Sequence, residues 1–120
     1  GRVALEVWRR APERVERLAL LGTGCQPLPP GAAGESERAM RMRFLDKARR
    51  EGLRAMAREW IAGAVHESRR PGPVVDTIVE MFARRDLRTL AAQVHALLER
   101  PDQSGLLPGI ACPTLLVCVC

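Results

Sequence analysis

The chain has 120 residues, of which 47% are hydrophobic and 28% are charged, and its formal net charge is +5. This length is enough for one small domain with one core, and the composition is typical of globular proteins rather than of disordered chains. No apolar run approaches the roughly 20 residues of a membrane-spanning helix, and no signal-peptide pattern opens the sequence. We therefore expect a cytoplasmic protein without a membrane partner.

The positive charge is spread along the chain rather than gathered into one basic patch. Arginines alternate with acidic residues, as in Arg14, Glu16 and Arg17, and Lys47 is the only lysine. Clustered arginines would favour nucleic acid, whereas mixed charges are typical of the solvated face of a helix. The pattern therefore predicts no nucleic-acid partner.

The cysteines and histidines show no metal-binding spacing. There is no Cys-x-x-Cys motif, and neither histidine is near a cysteine in the sequence. We expect buried thiols in a reducing compartment, with no metal and no cofactor. These residues are Cys25, Cys112, Cys118, Cys120, His66 and His95.

The first predicted elements are a helix over residues 1–11, a turn over 12–14 and a strand over 15–21. The helix follows from apolar residues at helical spacing, and the strand from a short apolar run. Gly22, Thr23 and Gly24 end the strand with residues that permit tight turns.

A loop rich in proline and glycine then leads into a series of amphipathic helices. Ser36 is the expected N-cap of the first of them, Gly52 interrupts the pattern, and Asp86 is the expected N-cap of the last. A second apolar run, residues 114–119, predicts another strand. The predicted helices span residues 36–50, 53–64, 74–82 and 87–98.

The order of these elements predicts an α/β fold. Leu- and Val-rich runs that do not alternate with polar residues are typical of parallel strands covered on both faces. Two strands cannot make a stable sheet alone, so we expect an internal piece of a larger α/β protein. The expected parts are residues 1–24 as a core helix and strand, 25–105 as a helical cap, and 106–120 as the return to the core with the second strand.

In an open α/β sheet, ligands bind beyond the carboxyl ends of the strands. The expected insertion leaves from this edge, so its helices would form a lid whose apolar inner faces favour a small apolar or acyl-type substrate. The same apolar side chains could instead only pack the helices together. The candidate pocket residues are Thr23, Gly24, Met40, Phe44, Met56 and Trp60.

Two segments resemble the α/β-hydrolase-fold enzymes. The opening GRVALEVWRRAPERVERLALLGTG resembles the part of that family that runs from the glycine closing the nucleophile elbow, through a helix, into the sixth strand. The closing LLPGIACPTLLVC resembles the approach to the next strand, usually I-x-C-P-T-L-V. The region between them falls where the family has its variable helical cap.

The resemblance implies a serine hydrolase of esters, lactones or similar carbonyl compounds, with a Ser-His-Asp triad and an oxyanion hole. Gly1 corresponds to the last glycine of the elbow, so the nucleophile would precede it, and the acid and His would follow Cys120. The implied catalytic residues thus lie outside the chain, which alone should be inactive. Neither His66 nor His95 matches the family's base. The acids expected only at helix surfaces and caps are Asp46, Asp76, Asp86 and Asp102.

Other classes of function stay open at this point. A basic helical module that binds DNA or a ligand would need a helix-turn-helix, and residues 81–90 come closest. Leu87, Leu90 and Val94, however, are expected to use the face of the second helix for packing. A structural adaptor would leave the strand at 15–21 unexplained. The sequence does not fix the substrate, the oligomeric state or whether the ends are natural.

Overall fold

The computed structural model describes residues 1–70 and 72–118. The chain divides into two compact units, which we call the strand unit (Gly1–Pro27 with Arg100–Cys120) and the helical unit (Leu28–Glu99). No helix in the described residues is both long and apolar enough to cross a bilayer. The elements in chain order are α1 (Arg2–Arg10), β1 (Leu18–Leu21), α2 (Ala32–Glu51), α3 (Leu53–Ala64), α4 (Pro73–Ala83), α5 (Leu87–Leu98) and β2 (Thr114–Val117).

The described chain is mostly helical, and its two strands are parallel. Leu18 pairs with Thr114 and Leu20 pairs with Leu116, so β1 and β2 lie side by side and point the same way. The predicted parallel pairing of the two apolar runs is therefore confirmed. Short 3₁₀ turns, Pro12–Arg14 and Ser104–Gly109, precede the two strands.

Both strands are shorter than the sequence suggested. The prediction that β1 begins at Val15 is wrong, because the backbone N–H of Leu18 already donates to the carbonyl of Pro113, 3.0 Å away. Proline has no N–H to donate, so the ladder does not extend further in that direction. The end of the predicted second strand, Val119, lies outside the described residues, as do Pro71 and Cys120.

Only β1 is covered, and on one face, whereas β2 is exposed along its whole length. Leu5 of α1 is fully buried against Leu18 and Leu20. The opposite face, which we call the open face, carries Ala19, Leu21, Leu115 and Val117, and Leu115 is 60% exposed. The prediction of strands buried on both faces is thus wrong for this chain, since α1 covers one face of β1 and leaves β2 exposed.

In the helical unit, α2 packs against α3 and α5, and α3 packs against α4. Leu45, Val94 and Leu98 form one buried cluster. A second buried cluster contains Ala57, Ile61 and Val79, around which Val65, Val75, Ile78 and Phe82 are partly buried. The helices predicted from apolar spacing are therefore held together by the residues that define that spacing.

The ends of these helices follow local chemistry. Asp86 caps α5 as predicted, because its carboxylate accepts a hydrogen bond of 2.7 Å from the backbone N–H of Thr89. The predicted cap at Ser36 is wrong, since α2 begins at Ala32 after Gly31, whose φ of 68° suits glycine. Gly34 lies against the carbonyl of Pro29, where a Cβ would not fit.

Candidate functional site

The strand unit contains an apolar cavity of about 340 Å³. Leu5 of α1 and Leu20 of β1 line it, and so does Leu116 of β2. Thr23 and Cys25, which follow the carboxyl end of β1, add two polar atoms. A cavity of this size with few polar groups suits a small apolar ligand or side chain.

Thr23 lies just beyond the carboxyl end of β1, at the position that the sequence predicted. Its hydroxyl donates to the carbonyl of Leu21 over 3.3 Å. Its side chain also lies so close to Gly1 that a Cβ at Gly1 would overlap it. The start of α1 and the end of β1 therefore meet at one point, and only glycine permits this approach.

The other candidate pocket residues lie in the helical unit, in different environments. Met56 is buried, Met40 is 46% exposed and Trp60 is 40% exposed. The ring of Trp60 lies 5.4 Å from that of Phe82, and the guanidinium of Arg43 lies 5.0 Å from the half-buried ring of Phe44. Met56 is thus a core residue, and a single pocket of all six predicted residues stays a prediction.

The two histidines make local contacts at the surface. Nδ1 of His66 lies 2.9 Å from the hydroxyl of Ser68, whereas Nε2 of His95 lies 3.0 Å from the carboxylate of Glu99. A triad needs a hydroxyl and an acid on the same imidazole. Here His66 pairs with a hydroxyl and His95 pairs with a carboxylate, so neither pair is a triad.

The cysteines only partly follow the prediction of buried thiols. Cys25 and Cys112 pack against the core of the strand unit, and Cys25 Sγ lies 3.6 Å from the hydroxyl of Ser104. Cys118 is exposed, which corrects the prediction, because it follows the exposed strand β2. Within residues 1–70 and 72–118, no three Cys, His, Asp or Glu residues come together as a metal site requires.

The acidic residues serve helix ends and ion pairs. The backbone N–H of Thr89, followed by its hydroxyl, lowers the pKa of Asp86. Hydrogen bonds from the hydroxyl and the N–H of Ser104 lower the pKa of Asp102. Asp46 pairs with Arg49 at 2.9 Å, and Asp76 lies in the first turn of α4. These positions agree with the roles expected from the sequence.

The helix-turn-helix alternative requires a short turn and a second helix that is free to read bases. The turn between α4 and α5 is short enough, but α5 is partly used for packing. α4 and α5 are joined by Arg84–Asp86, a turn as short as that motif needs. In α5, however, Val94 is buried and Leu90 packs beside it. This helix therefore uses part of its surface for packing, as the sequence suggested.

The sequence did not indicate that Arg2 and Gln103 donate hydrogen bonds to the loop after β1. Arg2 donates to the carbonyls of Gly24 and Gln26, and Gln103 is 5% exposed. Nothing in the spacing of a single arginine marks it as a donor to distant carbonyls. Only the approach of the loop after β1 to α1 shows this role.

Comparison with known proteins relates this arrangement to an esterase. The chain is similar to the solved structure of a thermophilic esterase from Thermogutta terrifontis with malate bound, at 33% identity and a TM-score of 0.76. The similarity covers 95% of this chain and 41% of the esterase chain. No family model and no curated protein match the chain. The chain therefore has the fold of part of an esterase.

Proposed function

We propose that the chain is part of an α/β-hydrolase-fold enzyme that hydrolyses esters, lactones or similar carbonyl compounds. The similarity to the thermophilic esterase over 95% of the chain carries this proposal. Because the chain spans 41% of that esterase, the activity belongs to a longer polypeptide that includes this part. The parallel strand pair and the mainly helical segment between its strands fit this assignment.

In this proposal the chemistry is that of a serine hydrolase. A Ser on the turn before Gly1 attacks the carbonyl carbon, and a His beyond Cys120, oriented by an acid, accepts its proton. Backbone N–H groups stabilise the oxyanion, and the same His then protonates the leaving alkoxide. A water molecule, activated by this His, hydrolyses the acyl-enzyme.

The strand unit supports the placement of this chemistry. Thr23 lies beside Gly1, so the residues before Gly1 would continue from a point next to the cavity. The cavity is lined mainly by apolar side chains, which would favour the apolar part of an ester. In the helical unit, we propose that α2 to α5 form the cap that limits which substrates enter. The localisation of the enzyme in the cytoplasm stays a prediction.

A chimera tests the proposal. The aligned 41% of the Thermogutta terrifontis esterase is replaced by this chain, and turnover of p-nitrophenyl acetate and p-nitrophenyl butyrate is measured. We expect the chimera to turn over at least one of the two esters. The 120-residue chain alone should show no turnover, because its histidines do not form a triad.

Two controls define the result. Treatment of the chimera with a serine-reactive organophosphate should abolish turnover, whereas changing His66 or His95 to Ala should leave it unchanged. A chimera that melts cooperatively but hydrolyses neither ester would contradict the proposal. Turnover by the 120-residue chain that disappears in the His66→Ala or His95→Ala variant would also overturn it.

A further inference from the structure

Two segments of the strand unit lie side by side where the chain leaves for the helical unit and where it returns. We call them the neck, residues 24–27 and 100–103. Four consecutive carbonyl groups of the first segment accept hydrogen bonds. These carbonyls belong to Gly24, Cys25, Gln26 and Pro27, and the donors are Arg2, Gln103 and Arg100.

Arg2 connects the neck to α1. Its Nη1 donates to the carbonyls of Gly24 and Gln26, at 2.9 and 3.0 Å. Its Nη2 donates to the carbonyl of Pro101 in the returning segment. The planar guanidinium presents several donors in a fixed arrangement, so one side chain can hold both segments at once. A lysine ammonium lacks this fork.

The other two donors come from the returning segment itself. The backbone N–H of Gln103 donates to the carbonyl of Cys25 over 2.8 Å. Nε of Arg100 donates to the carbonyl of Gln26 over 3.3 Å, so this oxygen is shared with Arg2. The side chain of Gln103 is buried and donates through Nε2 to the carbonyl of Arg2. The contacts therefore form one network rather than isolated bonds.

We propose that Arg2, Arg100 and Gln103 form a clamp that holds the two segments of the neck together within the strand unit. The chain crosses between the units twice, after Pro27 and before Arg100. Without the clamp, the carbonyls of Gly24, Gln26 and Pro101 would lose the charged donor that they share. With it, the two segments are held beside each other, and Arg2 is a positioning residue for the cavity, which Thr23 and Cys25 line.

The neighbouring arginines of α1 show that this role is specific to Arg2. Arg9 and Arg10 pair with Glu6 on their own helix, at 2.7 and 2.6 Å. Exposed pairs of this kind contribute little to stability. Carbonyls in an irregular loop instead need donors from elsewhere, and hydrogen bonds from a charged donor are stronger than neutral ones. Arg9 thus provides a matched control on the same helix.

Amide hydrogen exchange of the full chain, resolved by residue with NMR, tests the clamp. In Arg2→Met, we expect the hydrogen-bonded amides of Gly22, Gln103 and Ser104 to exchange about tenfold faster or more, as the loss of charged hydrogen bonds implies. The Gln103 amide reports directly, because it is bound to the Cys25 carbonyl. Arg9→Met should leave these amides unchanged, and Arg2→Lys should fall between the parent and Arg2→Met.

Arg100→Met provides a second test that does not alter α1. It should accelerate the same amides while those of α1 and α3 keep their protection. Because Arg2 and Arg100 share the Gln26 carbonyl, the double variant should change exchange by less than the product of the single effects. Unchanged neck exchange in both single variants, or equal acceleration throughout the chain, would overturn the clamp. Since no activity is measured, the result is independent of the esterase proposal.

Discussion

Leu5 is the residue around which the strand unit is built. It is 0% exposed, it lies on α1, and it packs against the buried leucines of β1, Leu18 and Leu20. Val3 lies two positions earlier on the same helix but is 78% exposed. The contrast follows from helical geometry, since residues two positions apart point to different sides of a helix.

Leu5→Ala should lower the free energy of unfolding of the strand unit by about 2 to 5 kcal/mol, because the lost methyl groups leave a cavity. Val3→Ala should change it by less than about 0.5 kcal/mol, since the side chain is already in solvent. Urea unfolding followed by circular dichroism measures both values. Similar effects of the two substitutions would contradict the packing of α1 on β1.

At the scale of the elements, the termini of α1 are stabilised unequally. No side chain caps its N-terminus and no acid lies in its first turn, whereas Glu6 pairs with Arg9 and Arg10 near its C-terminal end. Hydrogen bonds from Arg9 and Arg10 lower the pKa of Glu6 from 4.5 to about 2. This carboxylate is therefore more stable in the folded helix than in the unfolded chain.

A lowered pKa stabilises the fold at pH values above the unfolded value, and this contribution is lost as pH falls through the folded value. The contribution of Glu6 should thus be present above a pH of 4.5 and vanish as pH falls to about 2. Because these side chains are exposed to solvent, Glu6→Gln should lower the melting temperature near neutral pH only slightly, and its difference from the parent should close over that range. Thermal melts at several pH values measure this difference; a gap that stays constant would contradict it.

Apolar spacing predicted the elements well, but their ends depended on partners. The parallel pairing and the cap at Asp86 could be predicted, because each depends on a local pattern or on simple topology. The start of β1 could not, since it depends on Pro113, the residue before the distant partner strand, which has no N–H to extend the ladder. The start of α2 after Gly31, whose φ is 68°, likewise had no apolar pattern to predict it.

The candidate site was predicted less completely than the fold. The position of Thr23 just beyond β1 could be predicted because the end of a strand fixes it, and its role in binding a substrate stays a prediction. Met56 is a core residue. The sequence could not show this, because an apolar stripe does not distinguish a side chain that packs helices from one that lines a pocket. Arg2 was missed, since its role depends on carbonyl groups that carry no sequence signal.

At the scale of the whole molecule, the open face of the strand pair is an exposed apolar surface. Leu21, Leu115 and Val117 expose apolar side chains beside strand edges that lack further partners among the described residues. Surfaces of this kind promote association between chains. In the longer enzyme that we propose, further strands and helices would cover them.

The 120-residue chain should therefore self-associate as its concentration rises. Leu115→Lys should reduce this association, because a charge on the open face opposes contact between two apolar surfaces. Met81→Lys adds the same charge at an exposed position of α4 and should have little effect. Sedimentation velocity over a range of concentrations measures the change; a parent chain that stays monomeric throughout would contradict this expectation.

The parallel ladder also sets the order in which the molecule can fold. Leu18 and Thr114 are separated by roughly a hundred residues, so pairing them early would carry a large loop-closure entropy. Once α2 to α5 have formed and packed, the segment between the strands is compact. Most of its conformational entropy has then already been lost, so pairing the strands costs less. During synthesis β1 should therefore stay unpaired at least until β2 has left the ribosome.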